Sequence, residues 1–364
     1  MKKLIGLILV VMLTVGGLFV INSWLTQAQH PQTGTKQATK VRTLTIYNWG
    51  DYIDPALLKE FTKETGYQVD YETFDSNEAM FTKIKQGGTR YDLAVPSEYM
   101  VAKMRRAGML EPLDKDKLTG LQNYDAHFMD RDFDPQNRYS LPYFWGTLGV
   151  VYNDKMVAPG EIKTWNDLFK PAYRQNIMLI DSARDIMGMA LASSGHSMNT
   201  TDQPTLAAAE GKLATLMPNV KAIVADEIKT YMIQDEAALA VDYSGDAAEM
   251  VANNKHLHYV LPTGISNLWL DNLVMPKTVR NKAAAYAFIN FMSEPEHAAQ
   301  NAEYVGYATP NMAAKARLPK ATRTNSAWYP KQAALDDLEV YQDLGPAMTQ
   351  RYNDYFLEFK MTNQ

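Results

Sequence analysis

Trp269 and Asp271 are the residues whose types and spacing best suit binding chemistry, because they stand two positions apart in the apolar stretch 267–276. Side chains two residues apart project from the same side of an extended strand, so an indole and a carboxylate would lie together. A carboxylate pairs with an ammonium ion, and an aromatic face adds a cation–π attraction of roughly 0.5–2 kcal/mol. This spacing favours a site for an organic cation. The alternative, a core tryptophan beside a surface aspartate, stays open.

A second cluster with the same chemistry is the segment YNWGDYIDP at residues 47–55. Trp49 and Tyr52 supply rings, and Asp51 and Asp54 supply carboxylates, between a predicted strand and a predicted helix. Ligands of open α/β sheets bind beyond the carboxyl ends of the strands. Polar or aromatic side chains also follow other predicted strands: Ser97, Tyr99, Asp181, Asp185, Tyr243 and Asp246. Together these strand ends predict one shared cleft, in which Asp54 is expected to be only a helix cap.

Patterns typical of catalysis and metal binding are weak in this sequence. The segment GHSMN at 195–199 resembles a nucleophile elbow around Ser197, but it lacks the final glycine and the strand–turn–helix context. His256 and His258 would face the same side of a strand, yet no third ligand stands at a supporting spacing. No phosphate-binding loop or dinucleotide fingerprint follows a predicted strand. We therefore expect no enzyme, no metal and no cofactor.

Composition narrows the class of partner. The chain has 364 residues and no cysteine, so we expect neither disulfides, nor thiolate metal sites, nor a bacterial lipoprotein anchor. Its formal net charge is −5; without Lys2 and Lys3 it has 34 basic and 41 acidic residues, a net charge of −7. A nucleic-acid partner requires a basic face, so we expect none. An acidic chain is compatible with a cationic ligand.

The N-terminal segment predicts export. Lys2 and Lys3 precede an apolar run from Leu4 to Ile21, which is typical of a secretory signal. The run is also as long as the shortest membrane-spanning helices, roughly 17–18 residues. Residues 1–26 are therefore predicted to be a signal peptide or an uncleaved membrane anchor, and the polar residues 27–41 a linker. In either case the protein would be periplasmic or on the cell surface. An uncleaved anchor would also tether it to the membrane.

The elements that position the candidate residues alternate between strand and helix. Asp54 and Pro55 begin a helix that ends at Gly66, and Asp75 begins another with the capping-box spacing DSNE. Further strands are predicted at 44–47, 67–73, 91–95, 139–152, 177–180, 237–241 and 259–261, and helices at 97–108, 186–192, 206–216 and 282–292. The initial βαβαβα order predicts an α/β fold with a mostly parallel sheet.

Six motifs in register identify a family resemblance. They are YNWGDY at 47–52, DSNE at 75–78, VPSEY at 95–99, PYFWG at 142–146, WLD at 269–271 and GYATPN at 306–311. From about Leu44 to the C-terminus, the chain closely resembles the spermidine- and putrescine-binding proteins of bacterial ABC importers. The resemblance implies a two-lobed periplasmic-binding-protein fold, each lobe a mostly parallel sheet flanked by helices, with a hinge between them. Lobe 1 would comprise 42–145 plus 272–316, and lobe 2 would comprise 146–271 plus 317–364.

The resemblance also implies a binding site and partners. The ligand, spermidine or putrescine, would lie between the lobes and be delivered to the permease and ATPase subunits of an importer by a monomeric protein. Its methylene chain would lie between aromatic walls, its amines would pair with acids, and polar residues would complete the slot. The residues carried over are Trp49, Tyr52, Tyr243, Trp269 and Tyr307 as aromatic walls, Ser97 and Tyr99 as polar walls, Asp185 and Asp271 as acids, and Gln342, or Tyr341 by a one-residue ambiguity, as a C-terminal contact.

The chain departs from the family pattern at several of these positions. Ser182 and Asp185 stand where the pattern has an aspartate and a glutamate, Tyr243 stands in place of a tryptophan, and Gly50 in place of a threonine. These differences leave the choice between spermidine and putrescine open. Two alternatives remain as well: a binding protein of the same fold for another cationic metabolite, and an exported hydrolase that uses Ser197.

Overall fold

The computed structural model describes residues 43–362. The predicted signal or anchor at 1–26 and the predicted linker at 27–41 lie outside the described residues. Within the described range, no helix combines the length and the apolar character that crossing a bilayer requires.

Strand and helix alternate at the start of the described chain, as predicted. The strands are β1 (Thr43–Trp49), β2 (Gln68–Phe74), β3 (Leu93–Ala94) and β4 (Ser140–Asn153), and the helices are α1 (Pro55–Thr65), α2 (Asn77–Gln86) and α3 (Glu98–Arg106). Between α3 and β4 the chain forms only short 3-10 turns, at Lys115–Lys117, Leu121–Asn123, Ala126–Phe128 and Pro135–Asn137.

The remaining elements form the second half and the C-terminal part. The strands are β5 (Ile177–Ile180), β6 (Val220–Val224), β7 (Leu239–Tyr243), β8 (Leu257–Val260) and β9 (Leu268–Val274). The helices are α4 (Ala183–Ala192), α5 (Gln203–Leu216), α6 (Glu227–Ile233), α7 (Ser244–Asn253), α8 (Lys282–Ser293), α9 (Pro295–Val305), α10 (Met312–Lys315), α11 (Lys320–Arg323), α12 (Gln332–Leu335) and α13 (Pro346–Met361), with 3-10 turns at Trp165–Phe169, Pro171–Tyr173 and Met217–Asn219.

Helix caps explain where the first helices begin and end. The Asp54 side chain accepts a hydrogen bond from the Ala56 amide, and Gly66 ends α1 at φ +74°, so both predicted ends are confirmed. The prediction that Asp75 begins α2 is wrong by one residue. Ser76 is the cap, because its hydroxyl accepts the Ala79 amide at 3.2 Å. Serine and aspartate both serve this role, so the sequence alone could not separate them.

One mixed sheet runs through the described chain, in the strand order β2-β1-β3-β9-β4-β7-β5-β6, with β8 pairing with β4. The parallel pairing predicted from the βα alternation holds on both outer sides, where β1 pairs with β2 and β3, and β5 pairs with β6 and β7. The middle is antiparallel. There β4 pairs with β9 through its first half and with β7 and β8 through its second half.

The buried side chains form separate cores on the two sides of this shared strand. One cluster draws on residues 44–145 and 268–335. Two others draw on 148–259 together with 341–359. The change of core within β4, between Trp145 and Leu148, means that the strand predicted at 139–152 belongs to both halves of the molecule. The exact lobe boundaries stay a prediction.

Candidate functional site

Asp271 is the centre of the first half of the site. The Tyr52 hydroxyl donates to its Oδ2 at 2.5 Å, and the Ser97 hydroxyl donates to its Oδ1 at 2.7 Å. The residue is only 6% exposed. Burial raises the pKa of Asp271 to about 6, although the two hydroxyl donors oppose this shift by stabilising the ionised form. The result is a buried carboxylate held in one orientation by two neutral donors.

Three separate elements bring these groups together. Asp271 lies in β9, Tyr52 follows β1 in the turn before α1, and Ser97 is the N-cap of α3. Ser97 forms an isolated antiparallel bridge with Asp271. Asn77, in the first turn of α2, donates to the Ser97 hydroxyl at 3.0 Å and accepts the Ser97 amide at 3.1 Å. The predicted convergence of strand ends therefore occurs, and Asn77 fixes the hydroxyl that orients Asp271.

Asp185 is the centre of the second half of the site. It lies in the first turn of α4 and is 4% exposed. The Tyr243 hydroxyl donates to its Oδ2 at 2.6 Å, and the Tyr341 hydroxyl donates to its Oδ1 at 2.9 Å. Ser182, the cap of α4, also donates its hydroxyl to this carboxylate. The second acid is thus held by three hydroxyl groups, in the same manner as the first.

A row of rings joins the two acids. Tyr307 lies 5.2 Å from Tyr52 and 5.3 Å from Trp269, centroid to centroid, and Trp269 lies 6.2 Å from Tyr243. Three of these four rings, Tyr52, Tyr307 and Tyr243, donate a hydroxyl to a carboxylate. The fourth, Trp269, packs against two of them. Between residues 43 and 362, no lysine or arginine pairs with Asp271 or Asp185; the nearby Arg184 donates to Asn199 instead. The arrangement is suited to a flexible cation with a charge at each end and an apolar middle.

Two glycines let the rings of Trp269 and Tyr307 approach the backbone closely. A Cβ atom on Gly146 would lie 2.4 Å from Trp269 Cζ2, and one on Gly245 would lie 1.4 Å from two ring atoms of Tyr307. Both distances are far below van der Waals contact. Gly146 and Gly245 therefore define the positions of the two central rings, a role that no motif in the sequence indicated.

We expect Gly245→Ala to weaken ligand binding about tenfold. The new methyl group would displace the Tyr307 ring from the row, and one aromatic wall contributes roughly 0.5–2 kcal/mol to a cation. The measurement is the dissociation constant by calorimetry. Gly211→Ala is the matched control, because nothing lies within 4 Å of its Cβ position in α5. Unchanged affinity in Gly245→Ala would mean that Tyr307 does not contact the ligand.

The remaining predicted site residues lie at the edges of this arrangement. Trp49 packs on Phe74 at 4.5 Å and donates its indole N–H to the Val95 carbonyl, so it bonds to neither acid. The Tyr99 hydroxyl donates to Glu78 at 3.3 Å. Both rings are half-buried. Their contact with a ligand stays a prediction.

The C-terminal contact is brought to the site one residue earlier than its placement at Gln342. Gln342 is exposed, and its backbone amide donates to Asn199 at 2.9 Å. The neighbouring Tyr341 is 5% exposed and reaches Asp185. Tyr341, the alternative that the one-residue ambiguity left open, therefore reaches the second acid, and the contact of either residue with a ligand stays a prediction.

Two further acids border the rings. The Tyr307 hydroxyl donates to Asp246 at 3.2 Å, and burial raises the pKa of Asp246 to about 6. Glu98 is fully buried directly between Ser97 and Tyr99 in the sequence. Asp246 was visible as a carboxylate after a predicted strand, whereas Glu98 carried no signal beyond its place in the VPSEY motif.

The other polar candidates have ordinary partners. The Ser197 hydroxyl donates to Glu339 at 2.7 Å rather than to a histidine. His256 and His258 do face one side, and both bond to the same carboxylate. Asp154, just beyond β4, bonds to both rings at 2.7 and 2.8 Å. The pairing of β4 with β8 brings Asp154 next to the two histidines, although it lies about a hundred residues before them in the sequence.

Comparison with known sequences agrees with this geometry. The family model of the bacterial extracellular solute-binding proteins matches residues 56–335. The spermidine/putrescine-binding periplasmic protein of Escherichia coli is 39% identical over 320 residues, which is 87% of this chain and 91% of the relative. The putrescine-binding periplasmic protein SpuD of Pseudomonas aeruginosa is 33% identical over 336 residues, again 87% of this chain and 91% of the relative.

A solved structure gives the same result for the fold. The crystal structure of the spermidine/putrescine ABC transporter substrate-binding protein PotD from Streptococcus pneumoniae is 54% identical, with a TM-score of 0.82. The match covers 89% of this chain and 100% of the other. The predicted two-lobed binding-protein fold is therefore confirmed.

Proposed function

The chain belongs to the bacterial extracellular solute-binding proteins, and from that premise we propose that it binds spermidine or putrescine for an ABC importer. The observation that carries the proposal is the pair of buried carboxylates, Asp271 and Asp185, each oriented by hydroxyl donors and joined by a row of aromatic rings. The two carboxylates would receive the terminal ammonium groups of the ligand.

The chemistry of a polyamine matches this site. Its positive charges are separated by methylene chains, so it needs acids at set distances and flat apolar walls between them. An ammonium buried without a partner costs several kcal/mol, and so does a buried carboxylate. Binding satisfies both at once. An amino acid or another anion would instead require an arginine fork, and Arg184 is directed to Asn199 and to the Tyr341 and Tyr352 rings.

Closure of two lobes around the ligand follows from the same proposal. We place lobe 1 at 42–145 plus 272–316 and lobe 2 at 146–271 plus 317–364, with Asp271 near the boundary and Asp185 in the second lobe. The strand β4, which carries both cores, supports a hinge at this boundary. An ion pair from Arg106 at the end of α3 to Asp343 supports a closed arrangement, since these residues fall in different lobes.

The biological setting belongs to the proposal too. The relatives named above are periplasmic proteins or ABC transporter components, and on that basis the ligand would be handed to a permease with its ATPase outside the cytoplasm. We infer a monomer without catalytic activity. Tethering by residues 1–26 is the variant of this setting in which the apolar N-terminal run is not cleaved.

Two other functions make different predictions. A binding protein for another cationic metabolite would use the same acids but reject polyamines. An exported serine hydrolase would require a base for Ser197, whose hydroxyl instead donates to Glu339, and its esterase activity would be lost in Ser197→Ala. The bond to Glu339 favours the binding protein.

Titration with spermidine and putrescine tests the proposal directly. We expect calorimetry to show saturable binding of at least one of them with one site per chain, because the site holds two oriented, buried carboxylates that can each pair with an ammonium group. Ornithine and γ-aminobutyrate are suitable comparison ligands, since each carries a carboxylate that this site would repel. The proposal fails if neither polyamine binds at millimolar concentration.

A further inference from the structure

Glu98 is a buried acid to which the two-carboxylate description gives no role. Its side chain is fully buried. One carboxyl oxygen, Oε2, accepts the Leu270 amide at 2.9 Å, whereas the other, Oε1, has no hydrogen-bond partner among the described residues. Buried polar atoms are rarely left unpaired, because the loss of hydration is then uncompensated. Glu98 therefore has an unsatisfied acceptor that a bound group could use.

The position of Glu98 places this acceptor within the site. Leu270 stands between Trp269 and Asp271, so the Glu98 carboxyl lies against the stretch that supplies a wall and an acid. Besides burial, the negative charges of Asp271 and Asp185 raise the pKa of the Glu98 carboxyl. The charge of Glu98 in turn adds to burial in raising the pKa of the Tyr341 phenol. The indole N–H of Trp269 is likewise buried and has no hydrogen-bond partner within residues 43–362. Both unpaired atoms therefore belong to side chains that lie in or contact the segment from Trp269 to Asp271.

We propose that Glu98 is the third carboxylate of the site, that it pairs with the internal secondary ammonium of a triamine, and that it thereby favours spermidine over putrescine. This inference rests on the proposed function. A diamine has only two charges, which Asp271 and Asp185 accommodate. A triamine has a third charge between them, and Glu98 is a buried acid close enough to both carboxylates for the charge of each to act on it.

The protonation of Glu98 gives the inference a second readout. The pKa of Glu98 is raised to about 8, mainly by burial and in addition by the charges of Asp271 and Asp185, although hydrogen bonds from the amides of Leu270 and of Glu98 itself oppose the shift. Its position in the first turn of α3 also favours the ionised form. At pH 7 the carboxyl is therefore mainly neutral. An internal ammonium would ionise it and release a proton, whereas a diamine would not.

The experiment compares wild type with Glu98→Gln, which keeps the shape of the side chain and removes its charge. We expect spermidine affinity to fall about tenfold or more and putrescine affinity to change less than about threefold, since a hydrogen bond to a charged group contributes roughly 1.5–3 kcal/mol. In wild type, calorimetry at pH 7 in two buffers of different ionisation enthalpy should show release of about one proton with spermidine and almost none with putrescine.

Glu111→Gln is the matched control, because among the described residues the Glu111 carboxylate forms an ion pair with Lys282 and lies apart from both acid centres. An equal loss for both polyamines in Glu98→Gln, or no loss for either, overturns the inference. So does the same proton release for both ligands in wild type, a measurement that needs no variant and is therefore independent of whether Glu98→Gln folds. If wild type binds neither polyamine, the proposed function itself has failed.

Discussion

Replacing Asp271 by asparagine is expected to reduce polyamine affinity at least about a hundredfold. The substitution keeps the volume of the side chain but leaves one ammonium of the ligand buried without a counter-charge. Removal of one partner from a buried ion pair costs about 3–5 kcal/mol, and each 1.4 kcal/mol is a tenfold change. The effect should appear with spermidine and putrescine alike, because Asp271 would hold a terminal ammonium in both. Calorimetric titration of both ligands is the measurement.

The thermal stability of Asp271→Asn without ligand is a control for correct folding of the variant. Burial raises the pKa of Asp271 to about 6 in the folded chain, against about 3.9 when unfolded. A folded-state pKa above the unfolded value means that ionisation of this group destabilises the fold as pH rises from about 4 to 6, and the cost remains at pH 7. Asparagine removes this cost, so the melting temperature of Asp271→Asn at pH 7 should be no lower than that of wild type.

A second control separates charge at the site from charge on the protein. Asp181 was one of the strand-end residues predicted to line the cleft, but its side chain is exposed and pairs with Lys360 at 2.8 Å, so Asp181→Asn removes a carboxylate that bonds to neither acid centre. Its affinity for polyamines should stay within about twofold of wild type, as expected of an exposed ion pair. If Asp271→Asn were to bind as tightly as Asp181→Asn, Asp271 would not contact an ammonium group.

The part of the site that sequence could predict is the part set by local spacing. Trp269 and Asp271 share one side of β9, so periodicity and residue type identify them. Tyr52 follows the end of β1, so its residue type at a strand end identifies it. The hydrogen bond between Tyr52 and Asp271 joins residues 219 positions apart. Its existence depended on the sheet order, in which β3 lies between β1 and β9, and no single-sequence pattern specifies that order.

The parts that sequence could not predict depend on tertiary packing. Tyr341 reaches Asp185 across 156 positions from an irregular segment before α13, and a one-residue shift there cannot be detected without the fold. Glu98 reads as an ordinary glutamate in the first turn of a helix, where most such residues are exposed. Only the antiparallel bridge between Ser97 and Asp271 buries it against Leu270. Burial, rather than residue type, makes it functional.

Acid pH is expected to weaken putrescine binding through Asp271; spermidine is left out of this test, because its internal ammonium would also displace a proton from Glu98. The ligand requires the ionised carboxylate, so protonation competes with binding once the pH falls below the pKa of about 6 in the free protein. For a single titrating acid, affinity should drop about thirtyfold between pH 7.5 and pH 4.5, since each unit below the pKa costs about tenfold. The groups that face Asp271, namely Tyr52, Ser97 and Tyr307, stay neutral throughout this range, because burial raises the pKa of both phenols.

Two variants assign this pH dependence to a single group. Asp246 also has its pKa raised by burial and contacts Tyr307, so it titrates beside the site. We expect Asp246→Asn to keep most of the acid-induced loss of putrescine affinity, and the residual putrescine binding of Asp271→Asn to vary little between pH 7.5 and 4.5. The opposite pattern would place the pH-sensitive ammonium contact at Asp246. Because the polyamine amines stay protonated across this range, any slope in affinity reports acids of the protein, and the variant that removes the slope identifies which of them the ammonium meets.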